Sequence, residues 1–497
     1  ALGLGLVLPL CALAYAATAW LLGRREWLGA TLRRAPGARA PGRLTAADGI
    51  AAAVLLGAAI AVRLPWLDAT GYGGDVLMYA GWGEYVARHG LAAAYGAQDL
   101  THGPMFVGAT GVMAALWHAL GPPGGAGSVP VSWIKVPGLV ADLATGLLLF
   151  GVARREWRTA PAAGLGLLFL LNPGVVLDSA WWGQTDSQAA LWVTGAVAAA
   201  AAGRTGASGA AGALALLTKL QAYFVAPLTA LVAFRTDRWR GLLRAAAGAG
   251  AALLLAGAPL ILSGSALRLV EVYTHLVGRH PLINVGAFNT WWLGFGWRGY
   301  AVTDDALLAG GAVPVSLRLV GLLALGGYSL LILWRLWVRY EPAEVPLVAT
   351  ALAMAFFMLP TQIHTRYLFT ALPLLLLAAV RRPGLLVAYA ALGLTFFVNQ
   401  WHLILRTPGG WPEVAPAPAV LLQLDAAGLS ADVLALTNVV VFGVLTWLLL
   451  RPLWRQRPVL PHGRVDRTDR TDRVDQEPVP ATDPSGLWPL AGPVRAR

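Results

Sequence analysis

Residues 104–120 read Pro-Met-Phe-Val-Gly-Ala-Thr-Gly-Val-Met-Ala-Ala-Leu-Trp-His-Ala-Leu, a run apolar enough to cross a membrane. Whether it crosses decides the side on which every later loop lies. The stretch Gly23–Leu44 carries Arg24, Arg25, Arg33, Arg34, Arg39 and Arg43, and basic loops of this kind stay in the cytoplasm. The apolar run Ala1–Leu22 is then an orienting first span, and about Ala46–Leu64 leads out again. The next basic cluster, Arg154, Arg155 and Arg158, must also be cytoplasmic, and Ser132–Val152 alone suffices to reach it. Counting 104–120 as a span would put that cluster outside. At 17 residues it also falls short of the roughly 20 that a span prefers, and it holds His118. We read it as a helix at the outer interface, inside a first extracytoplasmic loop at 65–130. Asp75–Val86 in the same loop has Met78, Tyr79, Trp82, Tyr85 and Val86 at helical spacing, the mark of a second interfacial helix.

The rest of the chain repeats long apolar runs broken by short basic turns. Charged residues make up 12%, about half the share usual in soluble domains. In hydrocarbon the backbone must satisfy its own hydrogen bonds, and continuous rather than alternating apolar runs do so as helices. The fold class is therefore an all-α polytopic membrane protein, with 13 spans, the N-terminus out and the C-terminus in. On this assignment 27 of the 35 arginines lie inside. That distribution explains the net charge of +12 without a nucleic-acid partner. Cys11 is the only cysteine, which excludes a disulfide framework or a Cys-based metal site. The chain divides into residues 1–45 (extra span and cytoplasmic loop), 46–450 (the membrane domain, with a long outer loop at 263–314) and 451–497. The last part, of mixed charge, reads as a disordered cytoplasmic tail.

Residues able to do chemistry collect at the outer ends of the spans. Lys135 and Lys219, the only lysines, both lie there. Asp142 sits seven residues after Lys135, on the same helix face about 10 Å deeper, where a carboxylate needs a partner. Gln184, Thr185, Asp186 and Ser187 cluster between two spans after Trp181-Trp182, and His364 and Arg366 occupy a similar turn. An arginine fork suits phosphate. Asp75 follows the flexible Gly71-Tyr72-Gly73-Gly74, and a plain N-cap would explain it equally well. Glu271, His275 and Arg279, spaced four apart, are expected on one face of a helix as a salt-bridged surface stripe. No metal-ligand spacing, P-loop or dinucleotide fingerprint is present.

Taken in order, several segments resemble the glycosyltransferase C superfamily, and within it bacterial polyprenyl-phosphate-mannose mannosyltransferases. They are Gly-Asp75…Tyr79…Trp82…Gly90…Tyr95, Lys135…Asp142, Asn172-Pro173…Trp182-Gly-Gln-Thr-Asp186-Ser, Thr218-Lys219-Leu-Gln221…Pro227, Ala287-Phe-Asn289-Thr-Trp-Trp and His364-Thr-Arg366-Tyr-Leu-Phe…Pro373. They run from about residue 46 to 400. One departure is Thr365, where the family usually has an acid.

The resemblance implies an inverting transfer of a sugar, mannose by the nearest likeness, from a polyprenyl-phosphate donor to an acceptor hydroxyl outside a bacterial plasma membrane. Asp75 would be the general base. Lys135, Gln184, Asp186, Lys219, Gln221, His364 and Arg366 would bind the donor phosphate or sugar. His102, Asp142 and Asn289 are candidates for acceptor contacts or support. The expected partners are membrane lipids, the lipid donor and a glycolipid, glycan or protein acceptor, with neither metal nor cofactor. The competing readings are a lipid-linked sugar flippase and a non-catalytic membrane subunit.

Overall fold

The computed structural model describes Leu32 and residues 45–454, apart from 73, 122–126, 277, 312 and 407–429. The expected first span Ala1–Leu22, most of the basic loop after it and the tail beyond 454 lie outside the described residues. Six described helices are long and apolar enough to cross a membrane, and a bent pair makes a seventh; this is a multi-pass membrane protein. The count of 13 therefore rests on the sequence.

Helix α1 (Ala46–Arg63) opens with a capping box between Thr45 and Asp48. Helix α2 (Asp75–His89), α3 (Leu91–Ala97) and α4 (Pro104–Leu120) fill the first long loop. Helices α2 and α4 touch backbone to backbone, because any Cβ on Gly83 would lie 2.7 Å from the Thr110 carbonyl oxygen. Helix α5 (Val131–Ala153) matches the expected span.

The next expected span, Ala162–Leu177, is instead broken. Helix α6 (Thr159–Leu170) stops at Asn172-Pro173 and the chain bends by 50° into α7 (Pro173–Val176). Proline cannot donate the helical N–H, and the Asn172 side chain restarts the helix by accepting from Gly174 N. Helix α7 then widens into a π-turn, Leu177–Trp182.

Helices α8 (Asp186–Ala201) and α9 (Thr205–Thr218) lead to a 3₁₀ turn and to α10 (Val225–Leu262). The 38 residues of α10 are two helices, as the basic turn in the sequence requires. Asp237 and Arg238 have non-helical angles, and Gly241 lies against the Ala233 carbonyl, so the chain doubles back. Helix α11 (Ala266–Leu276) ends before Arg279, which overturns the expected stripe. Glu271 pairs with Arg268 and Arg279 with Asp99.

A short α12 (Thr290–Phe295) precedes α13 (Leu317–Val338), α14 (Val345–Met358), α15 (Ala371–Arg381), α16 (Leu385–Arg406) and α17 (Ala431–Trp454). Tyr367 was expected within α15 but falls in a separate 3₁₀ turn, Thr365–Leu368. Helices α14 and α15 are buried on nearly every side and apolar all round, the pattern of a central membrane helix. Helices α1, α10 and α13 leave Ile50, Leu255 and Leu330 exposed, as a lipid-facing shell does.

Deep in the bundle Arg63 donates Nε and Nη2 to Asp142 Oδ2 at 3.1 and 3.0 Å, and Ser179 Oγ donates to the same oxygen at 2.6 Å. Both charged side chains are essentially inaccessible. Arg63→Ala or Asp142→Ala should each destabilise the protein by about 3–5 kcal/mol, while replacing both by leucine and methionine should cost far less. Thermal denaturation of the variants in detergent measures this.

Candidate functional site

The site is assembled on the π-turn. Lys135 lies beneath it and donates Nζ to the carbonyls of Trp66, Ala69 and Trp181 at 3.1, 2.5 and 3.0 Å. All three ammonium protons are thereby engaged. Lys135 braces the backbone and does not line the cavity described below. The loop after α1 lies directly on the turn because Gly71, at φ 71°, has no side chain. A Cβ there would sit 2.5 Å from the Trp182 carbonyl oxygen. Gly183, at φ 78°, then turns the chain toward Gln184.

This backbone brings Asp75 to the turn. Its Oδ2 accepts from Trp182 Nε1 at 3.1 Å and Gln184 Nε2 at 2.7 Å, and Gln184 Oε1 accepts from Tyr79 OH at 3.2 Å. Asp75 is thus a half-buried carboxylate held by two neutral donors. Behind it Lys219 Nζ donates to both oxygens of Asp186 at 2.8 Å. Arg366 lies between the two acids, 3.9 Å from Asp75 and 3.6 Å from Asp186, with its guanidinium 5.3 Å from the Trp182 ring centre. Its contacts are long and its Nε has no hydrogen-bond partner. A largely enclosed guanidinium with an unused donor suits an anion.

Asp75, Tyr79, Lys219 and Arg366 face a cavity of about 430 Å³. Asp75, Tyr79, His102, Lys219, Gln221, Gln362, His364 and Arg366 form its polar side, while Leu322, Leu325, Phe356 and Pro360 form an apolar flank. Gln221 buries its Nε2 beside Tyr367. His364 packs edge-on against His280 at 5.2 Å. Gln362, at φ 64°, donates to Asp304 at 2.7 Å and accepts from Gly278 N at 3.0 Å, tying the turn to both ends of the long loop. Burial works to raise the Asp304 carboxyl, but hydrogen bonds from Arg318, Gln362 and Thr361 outweigh it and hold it below the usual value.

Of the residues singled out from sequence, Asp75, Gln184, Asp186, Lys219, Gln221, His364 and Arg366 come together here, and His102 joins the cavity wall. Two do not. Asp142 belongs to the ion pair beneath the turn, and Asn289 caps α12 while donating to the Phe357 carbonyl. Asp178 was missed. It is inaccessible, sits on the π-turn, and neither carboxylate oxygen has a hydrogen-bond partner. The rule that marked Asp142, an acid inside an apolar helix, applies equally to it. Asp304 was missed, and Gln362 was seen only as part of the turn that holds His364, since the contact between the two spans 58 residues.

No family model and no curated protein sequence matches the chain. Among solved structures it is similar to the crystal structure of ArnT from Cupriavidus metallidurans bound to undecaprenyl phosphate. That likeness has 17% identity and a TM-score of 0.48, and covers 82% of this chain and 79% of the other. Among the described residues, no three His, Cys, Asp or Glu side chains are grouped as metal ligands.

His102 is closed in by Tyr79, Trp82 and Phe106. Burial first, then the charges of Lys219 and Arg366, hold its imidazole well below the ordinary value; burial and Arg366 do the same for His364. The folded protein therefore favours neutral rings, and a lowered folded value gives stability that is present above the unfolded value and lost below it. The melting temperature should fall as pH drops below about 6.5. The fall should be shallower in His102→Phe, as differential scanning fluorimetry against pH would show.

Proposed function

We propose that the cavity holds a sugar linked through phosphate to a polyprenyl lipid and passes the sugar, with inversion, to an acceptor hydroxyl. The observation that carries this reading is one carboxylate and one underused guanidinium, Asp75 and Arg366, facing a single cavity 3.9 Å apart beside an apolar flank. Lipid phosphate matches that pairing: the flank of Leu322, Leu325 and Phe356 suits isoprenoid chain, and Arg366 suits the headgroup.

In the reaction the acceptor oxygen bonds to the anomeric carbon as the bond from that carbon to the phosphate oxygen breaks. Asp75 takes the acceptor proton as general base. The leaving lipid phosphate gains one negative charge, which Arg366 offsets. A preplaced donor of this kind lowers a barrier by about 3 kcal/mol. Lys219, paired with Asp186, holds that acid against Arg366 and fixes the guanidinium in the cavity. Gln184 orients Asp75, and the Gln221 amide and His364 supply donors for the sugar. The cationic work falls to side chains, so the reading includes no metal. Mannose as the sugar, a glycolipid, glycan or protein as acceptor, and the extracytoplasmic face of a bacterial plasma membrane complete the proposal, the face following from the arginine-rich turns at the opposite ends of the helices.

Asp75→Asn should keep polyprenyl-phosphate binding and lose transfer by about 10²–10⁴-fold. Arg366→Ala should weaken both, transfer by about 10²–10³-fold. Radiolabelled-sugar transfer in proteoliposomes and native mass spectrometry of the bound lipid measure these effects. Undiminished transfer by Asp75→Asn would sink the mechanism, and passage of the sugar lipid across the bilayer without transfer would favour a carrier. In a Cys11→Ser background, Gly264→Cys should react with an impermeant maleimide from outside the cell, and Gly203→Cys only after permeabilisation. The reverse pattern would refute the orientation.

A further inference from the structure

The turn inside α10 joins two apolar halves through Phe234-Arg-Thr-Asp-Arg-Trp-Arg240. It lies at the end of the bundle away from the cavity. Helix α13 carries Leu322 to the cavity wall and Trp337 to this turn, about 22 Å further along. The start of α9 packs beside it, since a Cβ built on Gly203 would lie 3.7 Å from the Thr236 methyl carbon. Arg204, Arg235, Arg238 and Arg240 thereby come to one surface, and all four are exposed.

The way these charges are held sets the turn apart. Elsewhere at this end arginines meet acids: Arg154 with Asp48 at 2.5 Å, Arg381 with Glu156 at 2.5 Å and Arg382 with Glu344 at 2.6 Å. The one acid of the α10 turn, Asp237, is taken by Arg244 at 2.7 Å. Among the described residues the side chains of Arg204, Arg235, Arg238 and Arg240 make no ion pair and no hydrogen bond. Aromatic rings hold two of them instead. Arg235 lies over Trp337 and Tyr340, at 5.6 and 5.5 Å from the ring centres, and Arg238 over Phe234 at 5.6 Å. Phe234 stacks on Trp337 at 5.5 Å and meets Trp239 edge-on at 5.4 Å, which makes the rings one wall. A guanidinium over a ring keeps its charge and its N–H donors for another partner.

The backbone is strained at the same place. Arg238 has φ 48° and ψ −136°, a conformation that only glycine adopts freely. Turning the chain does not require arginine there, because glycine would do it without strain.

The border of the surface indicates what fits. Trp239 is 70% exposed and Leu243 69%, on the helix whose flank forms part of the lipid-facing shell. Exposed tryptophan belongs at headgroup depth, and basic pockets between helices take anionic headgroups. Unpaired guanidinium beside exposed apolar side chains is complementary to phosphate joined to acyl chains. We infer that the α10 turn binds an anionic phospholipid, its phosphate held by Arg235 and Arg238 and its chains lying along Trp239 and Leu243. This site is separate from the cavity and does not rest on the transferase reading.

The test uses the full chain in detergent, titrated with tetraoleoyl cardiolipin or dioleoyl phosphatidylcholine and followed by native mass spectrometry. Wild type should bind cardiolipin at least about tenfold more tightly than phosphatidylcholine. Arg235→Gln combined with Arg238→Gln should bring the two affinities together. Arg155→Gln combined with Arg158→Gln, which removes the same charge from another basic turn, should keep the preference. Arg238→Gly should melt no lower than wild type and yet bind cardiolipin more weakly, because strain is relieved as the guanidinium is lost. If the first double variant does not fold, Arg240→Gln, which breaks no ion pair or hydrogen bond, should weaken cardiolipin binding by itself. A wild type without the preference would overturn the site, as would cardiolipin binding unchanged by loss of Arg235 and Arg238. Equal losses in the two double variants would reveal attraction to basic turns in general, and displacement by millimolar inorganic phosphate would reveal a site for the free ion. Either of those results would also refute the lipid site.

Discussion

A guanidinium and a carboxylate buried in a membrane domain have to satisfy each other, and the position of the Arg63–Asp142 pair governs what lies above it. Arg63 comes from the end of α1, Asp142 from the middle of α5, and Ser179 from the π-turn donates to the same carboxylate. Arg63 also donates to the Leu170 carbonyl at 2.8 Å, beside the break between α6 and α7. One charged contact therefore registers three segments at the place where the helix bends. Without that bend the chain would continue as an ordinary span, and Trp182 and Gln184 would not reach Asp75.

The cations around the site differ in how fully their donors are used. Lys135 is taken up by backbone carbonyls and Lys219 by Asp186, so each holds structure in place. Arg366 is different, lying at long range from two acids and over the Trp182 ring. Its charge is positioned by its surroundings without being neutralised by a short contact. In the proposed reaction an entering anion would meet donors already oriented, so little reorganisation would be needed as charge develops.

Besides the Asp304 carboxylate, buried amides join the long loop to the site. Asn399 accepts from Phe288 N and donates to the Gly286 carbonyl, while Asn438 donates to the Phe288 carbonyl. These contacts join α16 and α17 to the segment that pairs through Val285 and Gly286 with His364. Single asparagines in apolar helices look unremarkable in a sequence, yet here they orient a wall of the cavity.

Apolar runs and arginine spacing determined the helical membrane class, most helix positions and the end of the bundle where polar groups collect. Those properties follow from local physics, because hydrocarbon demands internally bonded helices and basic turns stay on one side. Local pattern also marked Asp142 as a charge in need of a partner, but not that its partner is Arg63, 79 residues away. Only the tertiary structure separated two lysines that look equivalent in the chain from the arginine with donors left free. The reason is geometric: which donors remain available depends on the carbonyls and carboxylates that distant segments bring within about 3 Å, and sequence spacing carries no record of them.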